Sequence, residues 1–311
     1  MARILVSLGG NALGVDFDEL VHTVGVIAAP VVGLLKDGHE VVVCHGNGPQ
    51  VGMIKTDIDL GKAGLQEGRV MPLSECVAMS QSYIGYHLQN AIENQMGRQG
   101  VEGKVVTTVV SRCLVDANDP NFSNPTKPIG AFFSKEQADA MTAEGKTMIE
   151  DSGRGYREVV ASPIPKMILE KDAVKELVSA GHVVIAGGGG GIPVVRAADG
   201  WTKAIDAVID KDRTSILLAA DTDCDALAIL TGVEKVAINF NKPDQRDLDQ
   251  ITLAECEQYI AEGQFPAGSM LPKIEAAMDF VKSGPNRRTL ITSLDKLVEG
   301  LKGETGTWVV A

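Results

Sequence analysis

The stretch His182-Val183-Val184-Ile185-Ala186-Gly187-Gly188-Gly189-Gly190-Gly191-Ile192-Pro193 joins an apolar run to five glycines. The run is short and rich in β-branched residues, which predicts a buried strand. Consecutive glycines lose more backbone entropy on folding than other residues, so a domain retains them where it needs unusual φ/ψ angles or close backbone approach. We expect the strand to end at the glycines and Pro193. The glycines indicate either a sharp turn or a backbone cradle for phosphate.

Two common phosphate-binding motifs do not fit this stretch. The dinucleotide motif GxGxxG beginning at Gly187 needs a glycine at position 192, where Ile192 stands. A Walker loop continues with Gly-Lys-Ser/Thr, and no such sequence follows. Other parts of the chain must therefore decide whether the glycines serve a phosphate.

Length, composition and charge restrict the class of protein. The 311 residues fit about two domains or one large α/β unit, and 44% hydrophobic residues can fill a large core. The formal charge of -12 and the pI near 4.9 argue against a nucleic-acid partner, because nucleic-acid surfaces are basic. The N-terminus has no signal-peptide pattern, and no apolar run approaches the roughly 20 residues of a membrane span. We therefore expect a cytoplasmic protein without a membrane partner.

The cysteines and histidines do not form a recognisable framework. The five cysteines are widely spaced and include no CxxC pair, and the five histidines show no metal-ligand spacing. Disulfides and a structural zinc site are therefore not expected. Buried free thiols are the favoured interpretation.

The first fifty residues predict a strand, a helix and a second strand, with a glycine-rich turn after each strand. Ile4–Leu8 is a predicted strand, apolar except for Ser7, that stops at Gly9-Gly10-Asn11-Ala12. Helical spacing follows from Val24 to Lys36, and Glu40–Cys44 then leads into His45-Gly46-Asn47-Gly48-Pro49-Gln50-Val51-Gly52. Such a βαβ unit places both turns at the carboxyl edge of a parallel sheet, where α/β proteins bind ligands. Tight turns alone would also explain the glycines, and His45 is favoured as scaffold over general base.

Apolar periodicity predicts further elements along the rest of the chain. They are a helix at 73–96, a strand at 104–110, helices at 170–180 and 214–220, strands at 225–231 and 235–240, a helix at 274–281, a strand at 288–292, a helix at 294–301 and a strand at 306–310. The helix at 73–96 carries Tyr83, Tyr86 and His87, so it could face a second subunit, with core packing as the default. Apolar runs stop between Asp116 and Val159, and we interpret that segment as an insertion rather than sheet.

Three lysines have unusual surroundings. Lys211 lies between two aspartates near a predicted helix; the pattern is either an acidic first turn favoured by the helix dipole or a phosphate clamp oriented by carboxylates. Lys273 precedes another helix, whose N-terminal amides could form an anion site with it. Lys127 lies between two prolines that stiffen the backbone, although a solvated surface lysine fits equally well.

Seven motifs resemble those of the carbamate kinases of the amino acid kinase superfamily, over nearly the whole chain. They are Leu8–Ala12, His45–Gly52, Pro125–Gly130, Glu150–Tyr156, Gly187–Val194, Val208–Asp212 and Gly268–Lys273. Each motif alone is weak. Their order, with the Pro/Lys insertion in the middle, separates this family from the acetylglutamate, aspartate and UMP kinases.

The resemblance implies an α/β fold, a three-layer αβα sandwich around a mainly parallel sheet, with two lobes plus a small protruding subdomain. Residues 1–195 would form the N-terminal carbamate/carbamoyl-phosphate lobe, including a subdomain at about 116–161, and residues 196–311 the nucleotide-binding lobe. The implied reaction is reversible: ATP and carbamate give ADP and carbamoyl phosphate, often in the direction of ATP synthesis. The implied partners are these four molecules, Mg²⁺ bound with ATP/ADP, and a second copy of the chain in a homodimer.

The same resemblance implies roles for individual residues. Lys211 and Lys273 would clamp the phosphoryl group, Asp212 would hold these lysines in place, and Lys127 would enter from the subdomain. Gly9, Gly10 and Asn11 would bind the phosphoryl group, and Gly46, Asn47 and Gly48 would bind the carbamate end. The residues implied for the nucleotide are Lys211, Asn239, Met270 and Lys273. No direct protein ligand to Mg²⁺ is implied. The glycine stretch would lie at the junction of the lobes, with close backbone packing and lobe articulation as its main duties.

Two residues depart from the family pattern. Glu158 stands where a second arginine is expected, and Ala161 where a proline is expected. The reversed charge at Glu158 is expected to affect subdomain closure or substrate affinity rather than the fold. Two alternatives stay open: another small-carboxylate or phosphate kinase of the superfamily, and a non-catalytic nucleotide-binding member.

Overall fold

The computed structural model describes residues 1–9, 13–14, 16–63, 71–151, 153–266 and 269–311. Within these residues an eight-stranded sheet forms the centre of the molecule. Its strands, numbered along the chain and given in spatial order, are Gln250–Thr252 (β15), Thr307–Val310 (β17), Arg288–Ser293 (β16), Ala226–Thr231 (β12), Arg3–Leu8 (β1), Glu40–His45 (β2), Val183–Ile185 (β9) and Val106–Thr108 (β3). All neighbouring pairs are parallel except β16 with β17. The predicted mainly parallel sheet is confirmed.

Helices cover both faces of this sheet. One face carries Phe17–Lys36 (α1), Leu73–Gln99 (α3) and Leu297–Leu301 (α9), and the other carries Lys171–Ser179 (α5), Lys211–Asp221 (α6), Leu253–Ala261 (α7) and Leu271–Lys282 (α8). The helix Gly48–Ala63 (α2) packs on α3, and Lys135–Ala143 (α4) lies in the insertion. The structure is therefore a three-layer αβα sandwich, as the resemblance implies.

The central strand β1 shows why both layers form. Leu5 packs into the core beneath α6 and α8, whereas Ile4 and Val6 pack into the core beneath α1 and α3. Successive side chains of a strand point to opposite faces, so a strand covered on both faces needs apolar residues throughout. Ser7 interrupts this apolar run, yet it is fully buried on the α6 side.

A second sheet begins directly after the glycines. Its strands in order are Thr202–Ala204 (β11), Ile192–Arg196 (β10), Arg112–Val115 (β4) and Pro165–Ile168 (β8). The strand β9 ends before the glycines, as predicted, but β10 starts at Ile192, the residue directly after them. Pro193 is compatible with it because proline is tolerated near the start of a strand. Val236–Ile238 (β13) and Arg246–Leu248 (β14) form a separate two-stranded ribbon.

The interpretation of the segment between Asp116 and Val159 as an insertion rather than sheet is wrong about the sheet. Lys127–Phe133 (β5), Tyr156–Val160 (β7) and Met148–Glu150 (β6) form an antiparallel sheet, which α4 contacts. We call this sheet together with α4 the subdomain. A small sheet with little apolar cover needs no long apolar run, so periodicity did not reveal it. Glu158 on β7 pairs with Lys146 at 3.5 Å, so its reversed charge is neutralised within the subdomain.

The helix α1 is longer and more apolar than we expected, since the sequence analysis found no apolar run close to the length of a membrane span. It has 20 residues and a mean hydropathy of 1.5, and among the described helices it alone is long and apolar enough to cross a membrane. Leu20, Ile27 and Val31 are fully buried in the core shared with α3 and the main sheet. This composition is typical of a core helix in an αβα sandwich.

Several helices differ from the sequence-based prediction: α4 and α7 were not predicted, α6 and α8 begin three residues early, and α1 and α2 differ beside the predicted site. α1 begins at Phe17 rather than near Val24, because the Asp16 side chain caps it by accepting from the Glu19 backbone N–H at 2.9 Å. The turn after β2 leads straight into α2, whose opening Gly48-Pro49 was interpreted only as part of a turn. The main sheet is continuous through both implied lobes, so the division at residue 195 stays a prediction.

The subdomain contacts α2 through two glycines. A Cβ atom on Gly52 would overlap the backbone of Gly130, which has a φ of +70°. Glycine at position 52 therefore permits the close approach of α2 and β5. A Cβ on Gly61 of the same helix would meet nothing within 4 Å.

This contrast yields a matched pair of substitutions. We expect Gly52→Ala to push β5 away from α2 and to lower the free energy of unfolding by about 1–3 kcal/mol. Gly61→Ala should raise it by up to about 1 kcal/mol through helix propensity. Urea unfolding followed by circular dichroism measures both changes, and limited proteolysis reports whether the subdomain loosens. Equal effects of the two substitutions would contradict the proposed close approach.

Candidate active site

Lys211 is the first residue of α6, and its side chain is only 10% exposed. Its Nζ donates to Asp212 Oδ1 at 2.7 Å and to Ser7 Oγ at 2.9 Å. Asp210 caps the same helix, with Oδ1 accepting from the Asp212 backbone N–H at 2.9 Å. The two aspartates therefore do different work: one caps the helix and the other binds the lysine.

Lys127 on β5 reaches the same helix end from the subdomain. Its Nζ lies 2.6 Å from Asp210 Oδ2, so one carboxylate both caps α6 and binds the subdomain. Burial acts to raise the pKa of Asp210, but the ammonium groups of Lys127 and Lys211 hold it well below its usual range. Asp210, rather than Asp212, is thus the partner of Lys127.

Lys273 lies in the first turn of α8 and is electrostatically coupled to the same group of charges. Its Nζ donates to the Ser269 carbonyl at 3.3 Å. Burial lowers the pKa of Lys273, and Asp212 opposes that shift only in part. Within the described residues no carboxylate forms an ion pair with Lys273, which leaves its ammonium group available to an incoming anion.

The charges of this cluster suit a phosphoryl anion. Three ammonium groups face two carboxylates, so one positive charge is in excess. The N-terminus of α6 adds the positive end of a helix dipole, while Asp210 already accepts from the backbone amides of Asp212 and Arg213. A chain with a net charge of -12 thereby presents a local cationic site. We name this set the lysine cluster: Lys127, Asp210, Lys211, Asp212 and Lys273.

The predicted phosphoryl-binding turn is described only in part. Gly9 follows β1 directly and is partly exposed. Gly10 and Asn11 lie outside the described residues. The roles of all three therefore stay predictions.

The turn after β2 is already engaged by protein contacts. The Gly46 N–H donates to the Leu8 carbonyl at 3.0 Å, which takes that amide away from any ligand. Asn47 is buried, and its Nδ2 donates to Ser80 Oγ at 2.8 Å. Gly48 is the first residue of α2. Of this predicted carbamate-binding set, Gly46 thus lacks a free backbone donor.

The five glycines form a buried turn in which Gly187, Gly189, Gly190 and Gly191 have positive φ. Side chains from β2, α3, α6 and the segment before β4 bond its backbone. Ser111 Oγ accepts from the Gly187 N–H, and Cys44, Gln81 and Thr214 donate to the carbonyls of Gly187, Gly188 and Gly190. A phosphate cradle would keep its amides free and its carbonyls away. The turn is therefore a packing junction, as the sequence analysis expected.

Close packing explains why these residues are glycine. A Cβ on Gly189 would overlap the Asn47 side chain, and one on Gly188 would lie 2.5 Å from His45 Nε2. A Cβ on Gly190 would lie 2.5 Å from the Ile209 carbonyl oxygen. The turn thus touches the ends of β2 and the segment that precedes α6.

His45 has the environment of a scaffold residue. Its ring is buried, and Nδ1 bonds the Gly46 carbonyl at 2.9 Å. Burial lowers the pKa of His45 to about 4, so the ring is neutral at physiological pH. Among the described residues the Nε2 atom has no hydrogen-bond partner, and it faces Gly188. These contacts favour the scaffold interpretation over a general base.

Arg157 on β7 is a residue that sequence reasoning missed. It is almost fully buried, and its Nη2 donates to the Gly130 carbonyl at 3.0 Å. The same Nη2 would lie 3.9 Å from a Cβ on Gly48, so the guanidinium is placed beside the start of α2. Its neighbour Glu158 departs from the family pattern and so carries a signal in the sequence, whereas Arg157 carries none.

The two further nucleotide-binding candidates lie at separate places. Met270 precedes α8 by one residue and is therefore close in sequence to Lys273. Asn239 follows β13 with a φ of +53°, and its Nδ2 donates to Asp244 Oδ2 at 2.9 Å. No described hydrogen bond joins Asn239 to the lysine cluster, so its role stays a prediction.

A sequence model of the "Amino acid kinase family" matches residues 2–293. The chain is 51% identical over 305 residues to the carbamate kinase-like protein YqeA of Escherichia coli, covering 98% of each chain. It is 48% identical to the carbamate kinase of Clostridium perfringens, covering 99% of each. The structure superposes on Giardia lamblia carbamate kinase bound to citric acid with a TM-score of 0.91 at 38% identity, covering 99% of this chain and 98% of that one.

The chain therefore belongs to the amino acid kinase family. Among the solved structures it resembles is Giardia lamblia carbamate kinase bound to AMP-PNP, with a TM-score of 0.88, 39% identity and coverage of 99% of this chain and 98% of that one. Because the superposition covers nearly the whole of both chains, it includes the main sheet as well as the subdomain.

The lysine cluster generates the first prediction about activity. Lys211→Ala and Lys273→Ala each remove a positive donor, so we expect kinase activity to fall by about 100- to 1000-fold. Circular dichroism and thermal unfolding should show both variants folded. Near-normal turnover in either variant would remove that lysine from the catalytic machinery.

The glycine turn generates the second prediction about activity. Gly189→Val should abolish activity because its side chain overlaps Asn47 and Gly189 has a φ of +62°. Gly232→Ala is the control, since a Cβ there meets nothing within 4 Å and its φ is ordinary. The coupled kinase assay compares the two. Normal turnover by Gly189→Val would show that the turn has no part in shaping the site.

Proposed function

We propose that this chain is a carbamate kinase, which transfers a phosphoryl group reversibly between ATP and carbamate. The observation that carries the proposal is the lysine cluster: two elements of the sandwich and one strand of the subdomain bring three lysines to one helix end. Full-length similarity to carbamate kinases supports the choice of acceptor.

The proposed reaction does not need a general base. Carbamate already carries its attacking oxygen as an anion, so no proton has to be removed. In the forward direction an oxygen–phosphorus bond forms to the γ-phosphorus, and the bond to the ADP oxygen breaks. Enzymes assist such a transfer chiefly by in-line positioning and by neutralising charge on the phosphoryl oxygens. A neutral, buried His45 is compatible with this scheme.

The lysines would divide the work. Lys211, with two of its three donors engaged, keeps one for a phosphoryl oxygen. Lys273 would approach from α8, and Lys127 from the subdomain. A phosphoryl anion competes with Asp210 for Lys127, so substrate binding and the subdomain's attachment are linked through one carboxylate. The N-terminal lobe at 1–195 would hold carbamate, and the lobe at 196–311 the nucleotide.

Mg²⁺ fits this site as a companion of the nucleotide. Asp210 and Asp212 are bonded to lysines, and in the described chain no three His, Cys, Asp or Glu side chains converge on a point. Mg²⁺ is commonly held by substrate phosphates, waters and few carboxylates. When bound with ATP it would supply further neutralisation of the phosphate charge. We also assign the protein to the cytoplasm, whose reducing conditions suit its five free, buried cysteines.

The decisive experiment is the formation of ATP from carbamoyl phosphate, ADP and Mg²⁺, measured by coupling to hexokinase and glucose-6-phosphate dehydrogenase. We expect ATP formation that requires both substrates and falls sharply in Lys211→Ala. If the folded protein binds ADP but forms no ATP, the carbamate kinase proposal fails. A panel of small carboxylates with ATP, scored by ADP formation, would then separate another kinase of the family from a non-catalytic member.

We further propose that the chain forms a homodimer through an aromatic surface on α1 and α3. Phe17 is 56% exposed and Tyr86 58%, and His87 lies within 5.5 Å of the rings of Phe17, Tyr83 and Tyr86. Large exposed apolar patches usually mark interfaces. A twofold dimer places one patch against its own copy, which an aromatic patch can satisfy without charge complementarity.

Tyr86→Glu tests this dimer, because it introduces a charge into the exposed aromatic surface. Size-exclusion chromatography with light scattering should give a dimer mass for the parent chain and a monomer mass for the variant. Trp201→Glu is the matched control, since Trp201 is 73% exposed outside this surface. A monomeric parent chain, or a dimeric Tyr86→Glu variant, would contradict the proposal.

A further inference from the structure

A buried hydrogen-bond chain leads from the lysine cluster into the core. The Lys211 ammonium donates to Ser7 Oγ at 2.9 Å, and Ser7 Oγ lies 2.9 Å from Ser215 Oγ. Ser7 is fully buried on β1, and Ser215 is 1% exposed on α6. A hydroxyl costs free energy in an apolar core unless it is hydrogen-bonded. Both serines meet that requirement through this chain.

The chemistry of the groups fixes the direction of the first bond. An ammonium group has three donors and no acceptor, so Ser7 Oγ must accept from Lys211. Ser7 Oγ also shares a hydrogen bond with Ser215 Oγ, in which either hydroxyl can donate. Ser7 thus joins the lysine on one side to the body of α6 on the other.

Ser7 gives Lys211 an anchor that a carboxylate could not supply as well. Asp212 alone would let the ammonium rotate about a single contact. A second anionic anchor would fix it but would cancel the positive charge that a phosphoryl group requires. A neutral hydroxyl fixes the ammonium by hydrogen bonding and leaves that charge intact.

We propose that Ser7 is a positioning residue, which orients the Lys211 ammonium for the phosphoryl group without touching substrate. The proposal rests on the proposed function for its kinetic readout. It makes β1 part of the phosphoryl site through a side chain, in addition to the turn that follows the strand.

The kinetic test compares Ser7→Ala with Ser7→Thr, which retains Oγ. We expect kcat to fall by about 10-fold in Ser7→Ala, as for loss of one hydrogen bond, with KM for ADP changed by less than about twofold because the charge stays. Ser7→Thr should recover most of kcat. Thr289→Val is the control, because it removes a buried hydroxyl that bonds Ala277 and not the lysine cluster. Should Ser7→Ala fail to fold, Ser7→Cys keeps the volume with a weak acceptor.

A double-mutant cycle decides whether Ser7 acts through Lys211. In the Lys211→Ala background, Ser7→Ala should cause no further loss of kcat, since the group it positions is gone. An equal loss in both backgrounds, or an unchanged kcat in Ser7→Ala alone, would overturn the proposal.

A measurement without turnover separates this proposal from the kinase proposal. The side-chain NH₃⁺ resonance of Lys211 in a ¹⁵N–¹H spectrum, assigned through its absence in Lys211→Arg, should be sharp in the parent chain. Ser7→Ala should broaden it beyond detection, because the ammonium loses a fixed partner. An unchanged resonance would overturn the positioning role even if the parent chain made no ATP.

Discussion

The site depends on placing a lysine where a helix disfavours it. Lys211 is at the N-terminus of α6, next to the positive end of the helix dipole, and it is nearly buried. Both conditions destabilise a cation. Asp210 and Asp212 offset them, one by capping the helix and the other by pairing with the ammonium. The flanking aspartates are therefore the condition under which this lysine can remain charged and buried.

The same constraint links the subdomain to the sandwich. Because Asp210 uses one oxygen for the cap and the other for Lys127, the helix end and the subdomain share a single carboxylate. The close approach of Gly52 and Gly130 fixes the other side of the subdomain against α2. Lys127 is thus carried on a strand with two separate attachments. Such an arrangement can release the lysine to an anion without dismantling the core.

The glycine turn serves this arrangement by taking up little space. Its residues pack against Asn47, His45 and Ile209, and side chains bond four of its backbone groups. The elements that carry the lysines and the predicted carbamate-binding turn can approach one another only because no Cβ intervenes. The glycines contribute geometry to the site, and the lysines contribute charge.

The sequence by itself determined an α/β protein with a parallel sheet, the positions of most strands of the main sheet and three lysines with unusual neighbours. Those features follow from apolar periodicity, from glycines at strand ends and from the charges beside the lysines, whereas the three-layer αβα sandwich was implied by the resemblance to the kinase family. It missed the subdomain strands and α2, because short strands with little apolar cover and a helix opening with Gly48-Pro49 lack such signals. Only the tertiary structure decided that Asp210 binds Lys127, that Ser7 binds Lys211 and that Arg157 lies beside Gly48. These contacts join residues 83, 204 and 109 positions apart, so they depend on how strands and helices pack and not on any local pattern.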